Sequence, residues 1–183
     1  MNALSDRTRS QLVLVDVQDK LCGAMAPERL PSMLRACSIL LQAARLLEVP
    51  VIYSEQYPQG LGATHTELTP WLDPDQRIEK LSFSCCDSPT FCERLAPARD
   101  QVILAGMEAH ICVLQTALAL QAGGRQVFVA EDAVISRDPI NRANALSRLR
   151  HAGVIVTNSE SVVFEWLRVA QGDAFRQISR LVR

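Results

Sequence analysis

Residues 101–124 read QVILAGMEAHICVLQTALALQAGG. Two periodicities meet in this stretch. Gln101–Ala105 is a short apolar run of the kind found in a strand covered on both faces, whereas His110–Ala122 carries apolar side chains at helical spacing and stops at Gly123-Gly124. A buried strand that turns through a short hinge into a helix is half of a βαβ unit, so the stretch predicts a parallel sheet. The hinge contains Gly106, and Cys112 falls in the first turn of the helix.

The same alternation continues in both directions. Gln11–Val17, Val51–Ser54, Arg77–Leu81, Gln126–Ala130 and Val154–Thr157 have the length and composition of strands. Helical patterns follow Pro31, span Ser88–Leu95 with Ser88 as cap, span Pro139–Ala152 before Gly153, and cover Ser161–Val169 and Asp173–Leu181. This order predicts an α/β fold, with a parallel sheet of about six strands, helices on both faces and right-handed crossovers. No repeat, linker or low-complexity segment divides the chain, so a single domain over residues 1–183 is expected. One connection, EQYPQGLGATHTELTPWLDPDQ, is long and rich in Gly, Pro and Thr, which marks it as functional or as a lid.

Composition narrows the classes of function. With 48% hydrophobic and 21% charged residues in 183, the chain has enough apolar material for a continuous core. A net charge of -1 argues against a nucleic-acid partner, and the local basic run of Arg176, Arg180 and Arg183 reads as a solvated tail. No apolar run approaches the roughly 18 residues of a membrane span or signal core, so no membrane partner and a cytoplasmic location are expected. The six cysteines then read as thiols. There is no CxxC pair, and His110 with Cys112 alone does not make a zinc site, so neither metal nor cofactor is expected.

Open parallel sheets keep their chemistry outside the carboxyl ends of the strands. Three reactive residues fall there: Asp16 after the first strand, Lys80 after RIEK, and Cys112. Singly, each has an ordinary explanation: a small core residue, a turn residue and a solvated charge. Together they outline a cysteine hydrolase. A thiol at a helix start, with a lysine nearby, is biased toward thiolate, an adjacent carboxylate accepts protons, and backbone N–H groups await an oxyanion.

The chain resembles the isochorismatase-like cysteine hydrolases, a family that includes nicotinamidases and N-carbamoyl amidases. The resemblance rests on LVLVDVQDKL with Asp16 and Gln18, on the lysine of RIEKLSFS, and on AGMEAHICVLQTALAL with Cys112. EQYPQGLGATHTEL looks like the branch labelled isochorismatase domain-containing proteins. It implies a three-layer Rossmann-like fold and a triad of Asp16 as base, Lys80 as electrostatic partner and Cys112 as nucleophile. It also implies a cis peptide at Met107-Glu108, an oxyanion hole from the N–H groups of Glu108 and Cys112, and a homo-oligomer. The expected small-molecule pocket is lined by Gln18, Tyr57, Trp71 and Phe83.

The chain also departs from the family pattern. Metal-dependent nicotinamidases carry Asp-x-His after the second strand, where this chain reads Ser54-Glu55-Gln56-Tyr57, and His65 alone does not restore a site. Enzymes that cleave isochorismate itself commonly lack the cysteine, so Cys112 argues against that reaction. Leu21 replaces the usual aromatic after the Asp-x-Gln motif. The expectation is therefore hydrolysis of an amide-like or other acyl C–N bond. The competing reading is a catalytically silent or thiol-redox-responsive assembly subunit, prompted by Cys85, Cys86 and Cys92.

Overall fold

The computed structural model describes residues 4–183. Six strands, β1 (Ser10–Val15), β2 (Val51–Gln56), β3 (Arg77–Lys80), β4 (Gln101–Met107), β5 (Gln126–Ile135) and β6 (Ile155–Thr157), pair in parallel in the order β3-β2-β1-β4-β5-β6. The helices are α1 (Asp19–Cys22), α2 (Leu30–Leu46), α3 (Pro58–Leu61), α4 (Pro89–Arg94), α5 (Leu114–Ala122), α6 (Pro139–His151), α7 (Ser159–Leu167) and α8 (Gly172–Leu181).

Alternation along the strands builds two cores. Leu12, Leu14, Ile103 and Ala105 face a layer made by Leu40 of α2, Trp166 of α7 and Ile178 of α8. Val13, Val15, Val102 and Leu104 face the opposite layer, with Phe91 of α4, Ala117 of α5 and Leu149 of α6. Both faces are covered, which is why the central strands read as unbroken apolar runs. The sheet is thus the middle layer of a three-layer α/β fold.

Strand order reverses at β1: β2 and β3 lie to one side of it, β4 to the other. Such a switch point opens a crevice at the carboxyl ends of β1 and β4. Asp16 leaves β1 and Cys112 follows β4, so both are delivered to that crevice.

Three local differences from the sequence reading matter for the site. β4 and β5 run on to Met107 and Ile135, with a register shift opposite Leu104 and Gly106. The acidic Glu131-Asp132 pair hides this continuation in the sequence, yet Asp132 is accommodated because it accepts the Ser159 amide at 2.8 Å. Second, the segment before α5 is a π-helical turn, Ala109–Val113, and Cys112 lies within it. Third, Ser88 makes no side-chain cap; Ser84 instead accepts the Cys86 amide at 3.2 Å.

At Gly106 the two central strands leave no room for a side chain. Its φ of +118° is a region that side-chain-bearing residues avoid, and a Cβ there would lie 2.7 Å from the Val15 nitrogen and closer still to its carbonyl oxygen. We expect Gly106→Ala to cost at least about 3 kcal/mol, lowering Tm by roughly 6–12 °C. Thermal unfolding followed by circular dichroism measures this, and an unchanged Tm would mean that the β1–β4 contact is looser than described.

Candidate active site

The site is built around a buried ion pair. β1 is followed by Asp16, which takes a left-handed conformation (φ 50°) and is held by its N–H donating to the Ser54 carbonyl at 3.1 Å. Lys80, the last residue of β3, places Nζ 2.7 Å from Asp16 Oδ2, and both side chains are 0% exposed. The ammonium also donates to Gln56 Oε1 at 2.8 Å and to the carbonyls of Ser82 and Phe83 at 3.1 and 3.2 Å. Asp16 Oδ1 accepts the Ser54 hydroxyl at 2.7 Å. Charges taken out of water persist only when paired and hydrogen-bonded in this way. Burial works against the lysine charge, but Asp16 beside it, with Cys85 and Cys112 adding to the effect, holds Lys80 above its usual range.

Cys112 faces the carboxylate of this pair. It is 6% exposed and belongs to the core layer formed by α4, α5 and α6. Burial pushes its thiol up to about 12, the Asp16 charge and hydrogen bond push in the same direction, and Lys80 opposes them. The expected bias toward a resting thiolate is therefore not met: desolvation and a neighbouring carboxylate outweigh the lysine. The arrangement offers instead a protonated thiol beside the buried Asp16–Lys80 pair.

Around this centre the backbone is tightly held. The Met107-Glu108 peptide is cis. The Glu108 carbonyl accepts the amides of Ile111 and Val113 at 3.0 and 3.3 Å, and its buried carboxylate accepts the Arg137 amide at 2.9 Å and Nε at 3.1 Å. His110 Nδ1 pairs with the Ser136 hydroxyl at 2.9 Å.

The residues expected to line a pocket divide. Gln18 is fully buried, and its carboxamide is committed: Nε2 donates to the Gly62 and Gln56 carbonyls at 2.6 and 3.1 Å, and Oε1 accepts the Gln56 amide at 2.7 Å. It staples the long connection to β2. Trp71 lines a cavity of about 470 Å³ with Arg45, Pro50, Val51 and Leu72, at the start of β2 and so at the opposite end of the strand from the site. Tyr57 and Phe83 do reach the rim. The Tyr57 amide donates to the Lys80 carbonyl at 2.9 Å with its ring packed over Gly60, and Phe83, whose carbonyl accepts from Lys80, leaves its ring 54% exposed.

Three contributors escaped the sequence reading: Ser54, Gln56 and Cys85. Ser54 and Gln56 stand two apart on β2, which puts both on one face of the sheet, and they were noticed only as departures from Asp-x-His. Their side chains hold Asp16 and Lys80 instead. Among the described residues, no group of three or more His, Cys, Asp or Glu is arranged to hold a metal ion.

Alkaline stability follows from the buried thiols. Folded Cys112 and Cys86 keep their protons to about 12 and Cys22 to about 11, against 9.0 in an unconstrained chain. Above pH 9 the unfolded chain loses protons first, so rising pH favours unfolding. Each such thiol steepens the fall by up to about 1.4 kcal/mol per pH unit. Urea unfolding at a series of pH values should give constant stability below about pH 8 and a decline above pH 9 that is shallower in Cys112→Ser.

Comparison with known proteins agrees with this architecture. The isochorismatase domain family matches residues 10–161. Isochorismatase domain-containing protein 2 of Bos taurus is 38% identical over 177 residues, covering 95% of this chain and 83% of that protein. The secreted isochorismatase effector Isc1 of Phytophthora sojae is 36% identical over 198 residues, covering 100% and 93%. Among solved structures, the MAR1 ribonuclease of Caenorhabditis elegans superposes with a TM-score of 0.91 at 34% identity, covering 98% of this chain and 92% of that one. The YcaC gene product of Escherichia coli, described as an octameric hydrolase of unknown specificity, gives a TM-score of 0.89 at 22% identity over 97% and 90%. With sequence, topology and relatives in agreement, the chain belongs to the isochorismatase family.

Proposed function

We propose that the protein hydrolyses an amide-like or other acyl C–N bond in a small molecule through a thioester on Cys112. One observation carries the reading: Cys112 lies within the electrostatic reach of a carboxylate that a buried lysine ion-pairs at 2.7 Å. Asp16 takes the thiol proton as sulfur attacks the substrate carbonyl, and the N–H groups of Glu108 and Cys112 hold the oxyanion. Lys80 stays charged throughout and stabilises the forming thiolate. When the C–N bond breaks, Asp16 returns the proton to the departing nitrogen. Asp16 then deprotonates a water that attacks the thioester, releasing the acid and restoring the thiol.

The thiol's narrow exposure favours a small substrate, with Tyr57 and Phe83 at the mouth. One similar structure is titled a ribonuclease. In this chain, a nucleophile 6% exposed and a net charge of -1 suit a small acyl compound better than a polyanion, whose affinity comes from many phosphate contacts. The six free thiols fit a reducing compartment such as the cytoplasm. A homo-oligomer is proposed as the working form, since the rings of Tyr57 and Phe83 and the side chain of Leu81 stand exposed beside the site.

The test is acylation. Incubating the protein with a panel of amides, carbamoyl compounds and activated esters, followed by peptide mass mapping, should place an acyl group on Cys112. Turnover of any hit should fall about 10²–10⁴-fold in Asp16→Asn and vanish in Cys112→Ala. A panel that leaves Cys112 unmodified, or a hit still turned over by Cys112→Ala, removes the nucleophile assignment.

A further inference from the structure

Resting on that reading, we propose that Ser54 is a positioning residue for the base: its hydroxyl, aimed by the Cys85 thiol, fixes the direction of the Asp16 carboxylate beside Cys112. The geometry is a directed chain. Cys85 Sγ donates to Ser54 Oγ at 3.6 Å, and Ser54 Oγ donates to Asp16 Oδ1 at 2.7 Å. A hydroxyl that receives a proton from one side has its own proton free to point the other way, so Cys85 removes the ambiguity in the Ser54 rotor. Cys85 is suited to the donor role because it is fully buried, and burial, reinforced by the Asp16 charge, raises its thiol above the ordinary value. Its place is also fixed, since its amide donates to Thr116 Oγ1 at 2.9 Å, one helical turn beyond Cys112.

Charged and titratable groups that interact with Asp16 are Lys80 from β3, Cys85 from the turn after it, and Cys112 from the π-helical turn. Ser54, from β2, is the neutral donor among them. A hydrogen bond donated to a carboxylate favours its charged form. This gives Cys85 a defined task, holding the base, that is separate from nucleophilic attack.

The experiment measures the rate at which acrylamide alkylates Cys112, by peptide mapping across the acid-to-neutral range, in the intact chain. In wild type the rate should level off above an acid limb, the profile of a thiol and a carboxylate that share one proton. Asp16→Asn should lose that limb and rise about tenfold per pH unit as an isolated thiol does. Ser54→Ala should move the limb upward by about one pH unit, and Ser54→Thr should restore it. Cys85→Ala, which leaves Ser54 in place, should move it the same way by less, and it decides the matter if Ser54→Ala does not fold. An unmoved limb in Ser54→Ala and Cys85→Ala, with Asp16→Asn altered, overturns this inference alone. Identical profiles for wild type and Asp16→Asn would instead overturn the role of Asp16, and the inference with it.

Discussion

The salt bridge between Asp16 and Lys80, completely withdrawn from solvent at 2.7 Å, is the constraint on which the rest of the site depends. Two charges in an apolar interior are costly unless each remaining lone pair and proton is matched, and breaking such a pair by removing one partner costs about 3–5 kcal/mol. Here the matching groups come from Ser54 and Gln56 on β2 and from the carbonyls of Ser82 and Phe83. The pair therefore ties the carboxyl ends of three neighbouring strands together. The same contacts that make the pair tolerable also fix the direction of the carboxylate.

Cys112 combines two demands that ordinarily conflict. It packs in the layer with Val113, Leu114 and Ala117, as an apolar residue would. It also meets the carboxylate of the pair, and burial keeps its proton in place until a base removes it. In the proposed chemistry the resting thiol stays protonated, and Asp16 removes its proton as sulfur attacks. Gly106 contributes by allowing β1 and β4 to approach without a side chain between them, which brings the ends of those two strands into one crevice.

Much of the fold was legible because each central strand is covered on both faces, so its apolar run stands out. Gln11–Val17, of which the structure keeps the part to Val15 as strand, and Gln101–Ala105 stand out in this way, and Gly123-Gly124 and Gly153 end their helices as expected. β5 was cut short in the reading because Glu131 and Asp132 look like a break, whereas their partners, among them the amide of Ser159, lie far away in sequence. Asp16, Lys80 and Cys112 were recognisable as reactive types at strand ends. The structural task of Gln18 is invisible in sequence, because a buried carboxamide and a ligand-binding one are the same residue until its partners at Gln56 and Gly62 are known. Trp71 was misplaced because its segment doubles back to the start of β2. In sequence Ser54 shows only as a departure from Asp-x-His and Cys85 only as one of three thiols open to a redox reading, because a hydroxyl and a thiol gain meaning from what they face.

The most direct measurement is a crystal structure determined after soaking with a small activated amide or ester at neutral pH. The account predicts density continuous with Cys112 Sγ, the acyl oxygen turned toward the Glu108 and Cys112 amides, and the Asp16–Lys80 pair intact beneath it. An acyl group carried on Cys85, Cys86 or Cys92, with Cys112 unmodified, would contradict it.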